Sequence, residues 1–299
     1  MSVLPAISPV SRPETAGIPY ITAAEFTNAP TGIQIGNITT GELPALILRA
    51  SSWMDLVCHQ VLAATTDTEF CQVRVQRDGS FAVYPRCFPI RAVTAVSMGP
   101  WPNDIVALTT LSTLAVQNRR FVVYASTLPT NTVQGPIQFG PSWGQNQWVQ
   151  YTYVNGYPVT TLQTLVNSGA SSLTVANGVG IVPGMTLTIT DDPNTETLTV
   201  GSGYTFGSTT VPLVANTVSA HAAGVAVSAM PPGLKQIAIM ATAGFITERG
   251  TDAIIMGSIG GPPSKVNAPG GSGNDFIQQA RAMLIEGGFV AEVSVAGSL

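Results

Sequence analysis

The chain of 299 residues is 45% hydrophobic but only 9% charged, with a net charge of −4, whereas an average soluble domain is about 25% charged. No apolar run approaches the roughly 18 residues of a membrane-spanning helix, so burial between subunits is favoured over contact with a membrane. A monomer rich in Ser, Thr and Asn is the alternative. Lysine occurs only at Lys235 and Lys265, and the lack of a basic stripe disfavours sequence-specific nucleic-acid binding.

The N-terminal part of the chain predicts two helices. The first 20 residues hold four prolines and no continuous apolar run, which disfavours a secretory signal. Thr22 and Glu25 have the spacing of a capping box and predict a short helix start. A long helix is predicted over residues 41–64, where apolar residues recur every three or four positions. That stripe consists of Leu43, Leu46, Ile47, Ala50, Trp53, Met54, Val57, Cys58, Val61 and Leu62.

Alternating residues then replace the helical spacing. Residues 70–76 and 81–84 flank Asp78-Gly79, a strong signal for a β-hairpin between them. A loop rich in Gly, Pro, Gln and Asn, which contains Trp143, is expected over residues 128–146. Further strands are predicted at residues 90–98, 120–125 and 147–154.

The composition changes at about residue 160. From there to Ser228 the only charged residues are Asp191, Asp192 and Glu196, and short alternating runs are separated by turn residues. This pattern predicts a small β-sandwich or barrel. Its strands are expected at residues 172–175, 185–189, 197–200, 210–213 and 224–227.

Helical spacing returns after Pro231-Pro232-Gly233 and continues to about Arg249. A last helix is predicted over Asp275–Glu286, ended by Gly287-Gly288, and residues 289–295 alternate like a strand. We therefore expect an α+β fold: a helical body with a small hairpin sheet and an inserted all-β domain. The expected boundaries are residues 1–158 and 231–299 for the body and residues 159–230 for the insertion.

The sequence offers little for catalysis or metal binding. The two histidines, His59 and His221, lie in no recognisable nucleophile motif. The three cysteines with His59 have spacings that fit no zinc pattern, and the absence of CxxC favours reduced, buried thiols. Asp191-Asp192 precedes Pro193-Asn194, so a turn is favoured over weak Ca²⁺ binding. We expect no catalytic, metal-binding or cofactor-binding residues and no enzyme activity.

Several segments outside the insertion resemble the head–tail connector (head-completion or adaptor) family of long-tailed bacteriophages. In that family an aromatic-Val-x-Gly-Tyr-Pro segment runs almost directly into a Pro-x-x-Leu-Lys/Arg-x-Ala helix. Here residues 159–230 separate the two, which again places the insertion, and the inserted segment itself resembles a β module recurrent in phage structural proteins. The segments that carry the resemblance are residues 20–26, 46–55, 73–89, 149–158 and 231–250.

The resemblance implies a ring, commonly of twelve subunits, that docks under the portal protein in the virion after assembly in the host cytoplasm. Such a ring extends the channel through which the viral DNA passes and presents a surface to the next neck or tail protein. The near absence of lysine fits a channel that does not grip DNA.

We expect the alternating tail to dock on the portal by strand addition, through Phe289, Val290, Val293 and Val295, with a frayed C-terminus as the alternative. The loop residues Trp143, Gln145 and Asn146 are candidates to face the channel or a neighbouring subunit, although Trp143 and Trp148 also suit packing at a strand end.

Three other functions stay open at this point. The chain could be another ring-forming neck component, such as a stopper or a tail terminator. It could be a virion decoration protein whose β module binds carbohydrate through Tyr204, Phe206 and Asp191. It could also be an enzyme that uses His59, against which the inventory of motifs argues.

Overall fold

The computed structural model describes residues 17–33, 38–39, 41–76, 80–108, 115–123, 146–255 and 273–290. The helices are α1 (Ala23–Asn28), α2 (Glu42–Cys58), α3 (Pro232–Ile255) and α4 (Gly273–Glu286). The strands are β1 (Thr65–Arg74), β2 (Phe81–Val83), β3 (Ile90–Trp101), β4 (Asp104–Ala107), β5 (Ala115–Val116), β6 (Phe121–Val123), β7 (Asn146–Asn155), β8 (Val159–Thr161), β9 (Ser172–Thr174), β10 (Thr186–Thr190), β11 (Glu196–Thr199), β12 (Thr210–Pro212) and β13 (Ala226–Ser228). None of the described helices is long and apolar enough to cross a membrane.

The predicted α+β class with a helical body is wrong, because the fold is mostly β. The described residues form thirteen strands in four sheets and only four helices. The sequence argument took the long amphipathic helices as the framework of the body. Residues 65–155 instead supply seven strands that build two sheets of their own.

The first two helices follow local sequence rules closely. The capping box of α1 is confirmed, because the Thr22 hydroxyl accepts from the Glu25 amide and the Glu25 carboxylate accepts from the Thr22 amide. The stripe on α2 is confirmed at its buried positions, among them Ile47 and Met54. The helix is shorter than predicted, since His59 adopts a left-handed conformation (φ 53°) that ends it.

Two sheets pack together around a shared core in the region of residues 65–155. The larger has the order β1-β7-β3-β4 and the smaller the order β2-β6-β5. Phe121 of the small sheet meets Tyr151 of the large one edge to face, with ring centroids 5.2 Å apart. Their buried neighbours form one cluster with them, which includes Val73, Phe81, Val96, Val149 and Tyr153.

The predicted pairing of residues 70–76 with 81–84 is wrong. β1 pairs antiparallel with β7 along its whole length, from Thr65 opposite Asn155 to Arg74 opposite Asn146, and β2 pairs with β6. The Gln76 amide donates to the Ser80 carbonyl at 2.8 Å, so the chain does turn there. The two strands then enter different sheets, and residues 77–79 lie outside the described part.

A second cluster joins the helices, and a third belongs to the segment predicted as an insertion. The helical cluster combines side chains of α1, α2, α3 and α4, including Phe26, Ile47, Leu234 and Leu284. The buried residues of the third cluster all lie between Leu162 and Val227. We call residues 159–230 the module; the domain boundaries themselves stay a prediction.

The two ends of the module lie side by side. Val159 in β8 is paired with Ser228 in β13, and the Ala229 amide donates to the Pro158 carbonyl at 3.0 Å. Within the module, one sheet has the order β11-β10-β13-β8 and the other pairs β12 with β9. The chain therefore enters and leaves the module through one pair of neighbouring strands.

Candidate functional site

Among the described residues, one face of the large sheet carries side chains that are exposed or half-buried. Along β7, Val149, Tyr151 and Tyr153 are buried in the core, while Gln150 on the opposite face is exposed and Thr152 half-buried. The register places residues of β1 and β3 beside them on the same side. We call this surface the open face; it comprises Thr68, Phe70, Gln72, Ala95, Ser97, Trp148, Gln150 and Thr152.

The open face is uncharged and carries one aromatic pair. All eight of its residues are neutral, and Arg74, the next residue on the same side of β1, adds an exposed charge at the edge. Phe70 and Trp148 stack on each other, with ring centroids 5.0 Å apart and planes 9° apart, and both are half-buried. Exposed and half-buried neutral residues around a stacked aromatic pair are typical of a surface that another protein covers, because interface cores are depleted of charge and enriched in aromatic residues.

A network of polar contacts fixes the module to the N-terminal segment. Lys235 at the start of α3 donates to Glu25 Oε1 at 2.6 Å and to Thr190 Oγ1 at 3.4 Å. Asn28 Nδ2 donates to Asp192 Oδ2 at 2.7 Å. The Glu25 carboxylate therefore caps α1 and holds α3 and the module together. We call this network the joint.

A cavity of about 740 Å³ lies beside the joint. Its walls come from the N-terminal segment, from the two strands that enter and leave the module, and from the loop after β10. They include residues 18–25, 159–161, 190–192 and 224–226, with Lys235. The joint connects the module to the N-terminal segment, and beside the joint the cavity separates the two.

His221 is held between two acidic residues inside the module. Its Nδ1 lies 3.0 Å from Asp191 Oδ2 and its Nε2 lies 2.7 Å from Glu196 Oε1, and the side chain is fully buried. The Glu196 carboxylate also accepts from the Val218 amide at 2.9 Å. The two carboxylates approach opposite edges of the ring, so the cluster ties loops together and does not converge on a metal position.

The cysteines considered as metal ligands or nucleophiles do not form a site. Within the part of the chain that the structure covers, no group of three or more His, Cys, Asp or Glu side chains could hold a metal ion. The zinc set of the sequence analysis is not assembled, and Cys58 and Cys87 are buried. Burial raises the pKa of the Cys58 thiol to about 12 and that of Cys71 to about 11, so both are protonated at neutral pH and poor nucleophiles.

The predicted carbohydrate contacts do not form one surface. Tyr204 is buried and its hydroxyl donates to the carbonyls of Gly178 and Ser208, at 3.1 and 2.7 Å. Asp191 contacts His221, and Phe206 is partly exposed. Tyr204 therefore serves the module core, and its ring is not free to stack on a sugar.

The structure places three of the predicted partner-binding residues. Phe289 packs against the helical cluster, and its carbonyl accepts from Gln60 Nε2 at 2.8 Å. Val290 follows it and is half-buried, and Asn146 begins β7 and is exposed. Phe289 thus anchors the tail to its own chain. Val293, Val295, Trp143 and Gln145 lie outside the described residues.

Sequence reasoning missed the joint and the His221 cluster. Glu25 and Lys235 are 210 positions apart, and no local pattern links them. The Glu25 side chain was recognised as a cap, which gave no sign of its second partner. Charged residues are rare in the segment from 160 to 228, and two of the three, Asp191 and Glu196, contact its histidine, so that rarity was the available signal.

Comparison with known proteins assigns no family. No protein-family model matches the chain, and no curated protein matches it.

Proposed function

We propose that the chain is a virion structural subunit that forms a homo-oligomeric ring at the head–tail joint of a bacteriophage. The ring would dock under the portal, extend the DNA channel and present a site for the next neck or tail protein. The observation that carries the proposal is the open face, which offers an uncharged surface for a second copy of the chain. The low charge of the whole chain and the resemblance of its segments to connector proteins support it.

The open face and the C-terminal tail would contact different partners. The open face contacts the neighbouring subunit, since its neutral side chains lose little on desolvation compared with charged ones. The tail leaves the body at Phe289, which holds the start of the remaining residues in a fixed place. Docking on the portal then depends on Val290 and the residues beyond it, because Phe289 is already packed against its own chain.

The test is the mass of the full chain alone and with portal protein, measured by light scattering after gel filtration. We expect a ring of about twelve copies of the 31.0 kDa chain, formed alone or on the portal. Gln150→Arg, which places a charge on the open face, should abolish the ring while the circular dichroism spectrum stays unchanged.

Gln236→Arg is the matched control, because Gln236 is also exposed but lies on α3. A chain that stays monomeric with the portal would overturn the proposed function. A ring that forms equally well with Gln150→Arg would overturn only the assignment of the open face.

A further inference from the structure

Arginines gather on one end of the small sheet. Because Val83 in β2 is paired with Phe121 in β6, Tyr84 and Arg120 lie beside each other where these strands end, and Arg120 Nη1 donates to the Tyr84 hydroxyl at 3.4 Å. Arg86 and Arg119 lie next to them along the chain. We call Tyr84, Arg86, Arg119 and Arg120 the arginine patch.

The patch is exposed and partly held in place. Tyr84 is 66% exposed, and Arg86 and Arg119 are exposed as well. Arg120 Nε donates to Gln117 Oε1 at 2.6 Å, which fixes its guanidinium. Arg119 lies 4.1 Å from the centre of the Phe88 ring and donates to the Gly288 carbonyl at 2.7 Å.

The local charge is opposite to that of the whole chain. The three arginines of the patch and the adjoining Glu69 carboxylate give 3 − 1 = +2, against −4 for the whole chain. The carboxylate beside the patch is that of Glu69, which accepts from the Arg86 amide. Its two oxygens also accept from the hydroxyls of Tyr151 and Tyr153, at 2.6 and 2.7 Å. The arginine charges are therefore incompletely offset.

We infer that the arginine patch binds the phosphodiester backbone of DNA, an inference that rests on the proposed function. Guanidinium groups match phosphate oxygens in shape and charge, and a few such contacts give weak, sequence-independent binding that depends on salt. An acidic protein partner is less well matched, because protein interfaces need an apolar core depleted of charge and the patch has one aromatic ring among three arginines. The patch would face the channel and contact passing DNA weakly, without reading its sequence and without gripping it.

The experiment measures binding of a short fluorescein-labelled DNA duplex of mixed sequence to the full chain by anisotropy. Two phosphate contacts per subunit predict that affinity falls roughly tenfold between about 50 and 200 mM salt. Arg86→Glu and Arg120→Gln should each weaken binding and flatten this salt dependence. Arg281→Glu is the matched control, because Arg281 is exposed on α4, and it should bind as the unaltered chain does.

Equal binding by Arg86→Glu and Arg281→Glu would overturn the inference, and so would tighter binding of fluorescein-labelled polyglutamate than of DNA. Gel filtration of the same variants with portal protein separates the two proposals. Ring formation with unchanged DNA binding in Arg86→Glu refutes the patch alone. DNA binding that responds to Arg86→Glu in a chain that never forms a ring refutes the proposed function.

Discussion

His221 is a rare polar residue in the core of the module, and its contacts explain why it lies there. A buried polar group is costly unless its hydrogen bonds are satisfied. Asp191 and Glu196 satisfy both ring nitrogens, and they come from the two ends of the loop between β10 and β11. The imidazole thereby joins this loop to the chain that leads into β13.

Removing this ring should destabilise the module without touching the rest of the fold. We expect His221→Ala to lower the free energy of unfolding by about 2–3 kcal/mol, because two carboxylates lose a buried partner and a cavity is left. Urea unfolding followed by circular dichroism measures the change.

The control is the other histidine of the chain. His59 is exposed and has φ 53°, a conformation that Asn tolerates, so His59→Asn should change stability by less than about 0.5 kcal/mol. Equal effects of the two substitutions would contradict a structural role for His221.

At the level of elements, local sequence patterns predicted where helices and strands lie but not which strands pair. The period of the apolar residues found α2, and the capping box found the start of α1, because both depend on residues within one or two turns. Five of the six module strands were predicted within two residues from alternation alone, and β8 was missed. The Asp78-Gly79 signal led to a wrong pairing, because β1 gains a ten-residue ladder with β7, and such distant pairings leave no mark on local sequence.

The site was less predictable than the elements for the same reason. Phe70 and Trp148 meet across two strands far apart in the chain, so the open face could not be assembled from spacing. The arginine patch was also missed, because its members are scattered in sequence and form no basic run. The excess of arginine over acidic residues within residues 80–123 was the one sequence signal that could have indicated the patch.

The turn between β7 and β8 gives a prediction at this scale. Gly156 has φ +84°, and a Cβ there would lie 2.3 Å from the Ala63 carbonyl oxygen, so backbone must move. We expect Gly156→Ala to cost about 3 kcal/mol or more, from the left-handed conformation and the clash together. Thermal unfolding measures it.

Gly224 separates the two causes. Its φ is +87°, yet a Cβ there would meet nothing within 4 Å. Gly224→Ala should therefore cost only about 1 kcal/mol, the conformational part alone. If Gly156→Ala lowers the free energy of unfolding no more than Gly224→Ala does, the close approach to Ala63 makes no steric contribution.

The described residues form three clusters of buried apolar side chains, and one of these clusters lies within the module. A segment with its own core and adjacent ends should be separable from its host. We expect residues 159–229 to be replaceable by a short Gly-Ser linker with the remaining chain still folded, because Val159 and Ser228 are paired neighbours. The excised module should also unfold cooperatively when produced alone.

Calorimetry of the intact chain, the shortened chain and the module tests this. Separate transitions at the temperatures seen in the intact chain are the expected result. A shortened chain without a cooperative transition would contradict it and would mean that the joint and the cavity walls contribute to the stability of both parts.

The side-by-side ends of the module also have a mechanical consequence. The module is linked to the rest of the chain by two covalent connections that lie next to each other. These connections prevent the module from separating but do little to prevent it from tilting. Tilting is resisted by the hydrogen bonds of Thr190 with Glu25 and Lys235, and by that of Asn28 with Asp192. The angle between the module and the rest of the chain is therefore set by a few hydrogen bonds, in which Thr190 and Asp192 are the contributions of the module.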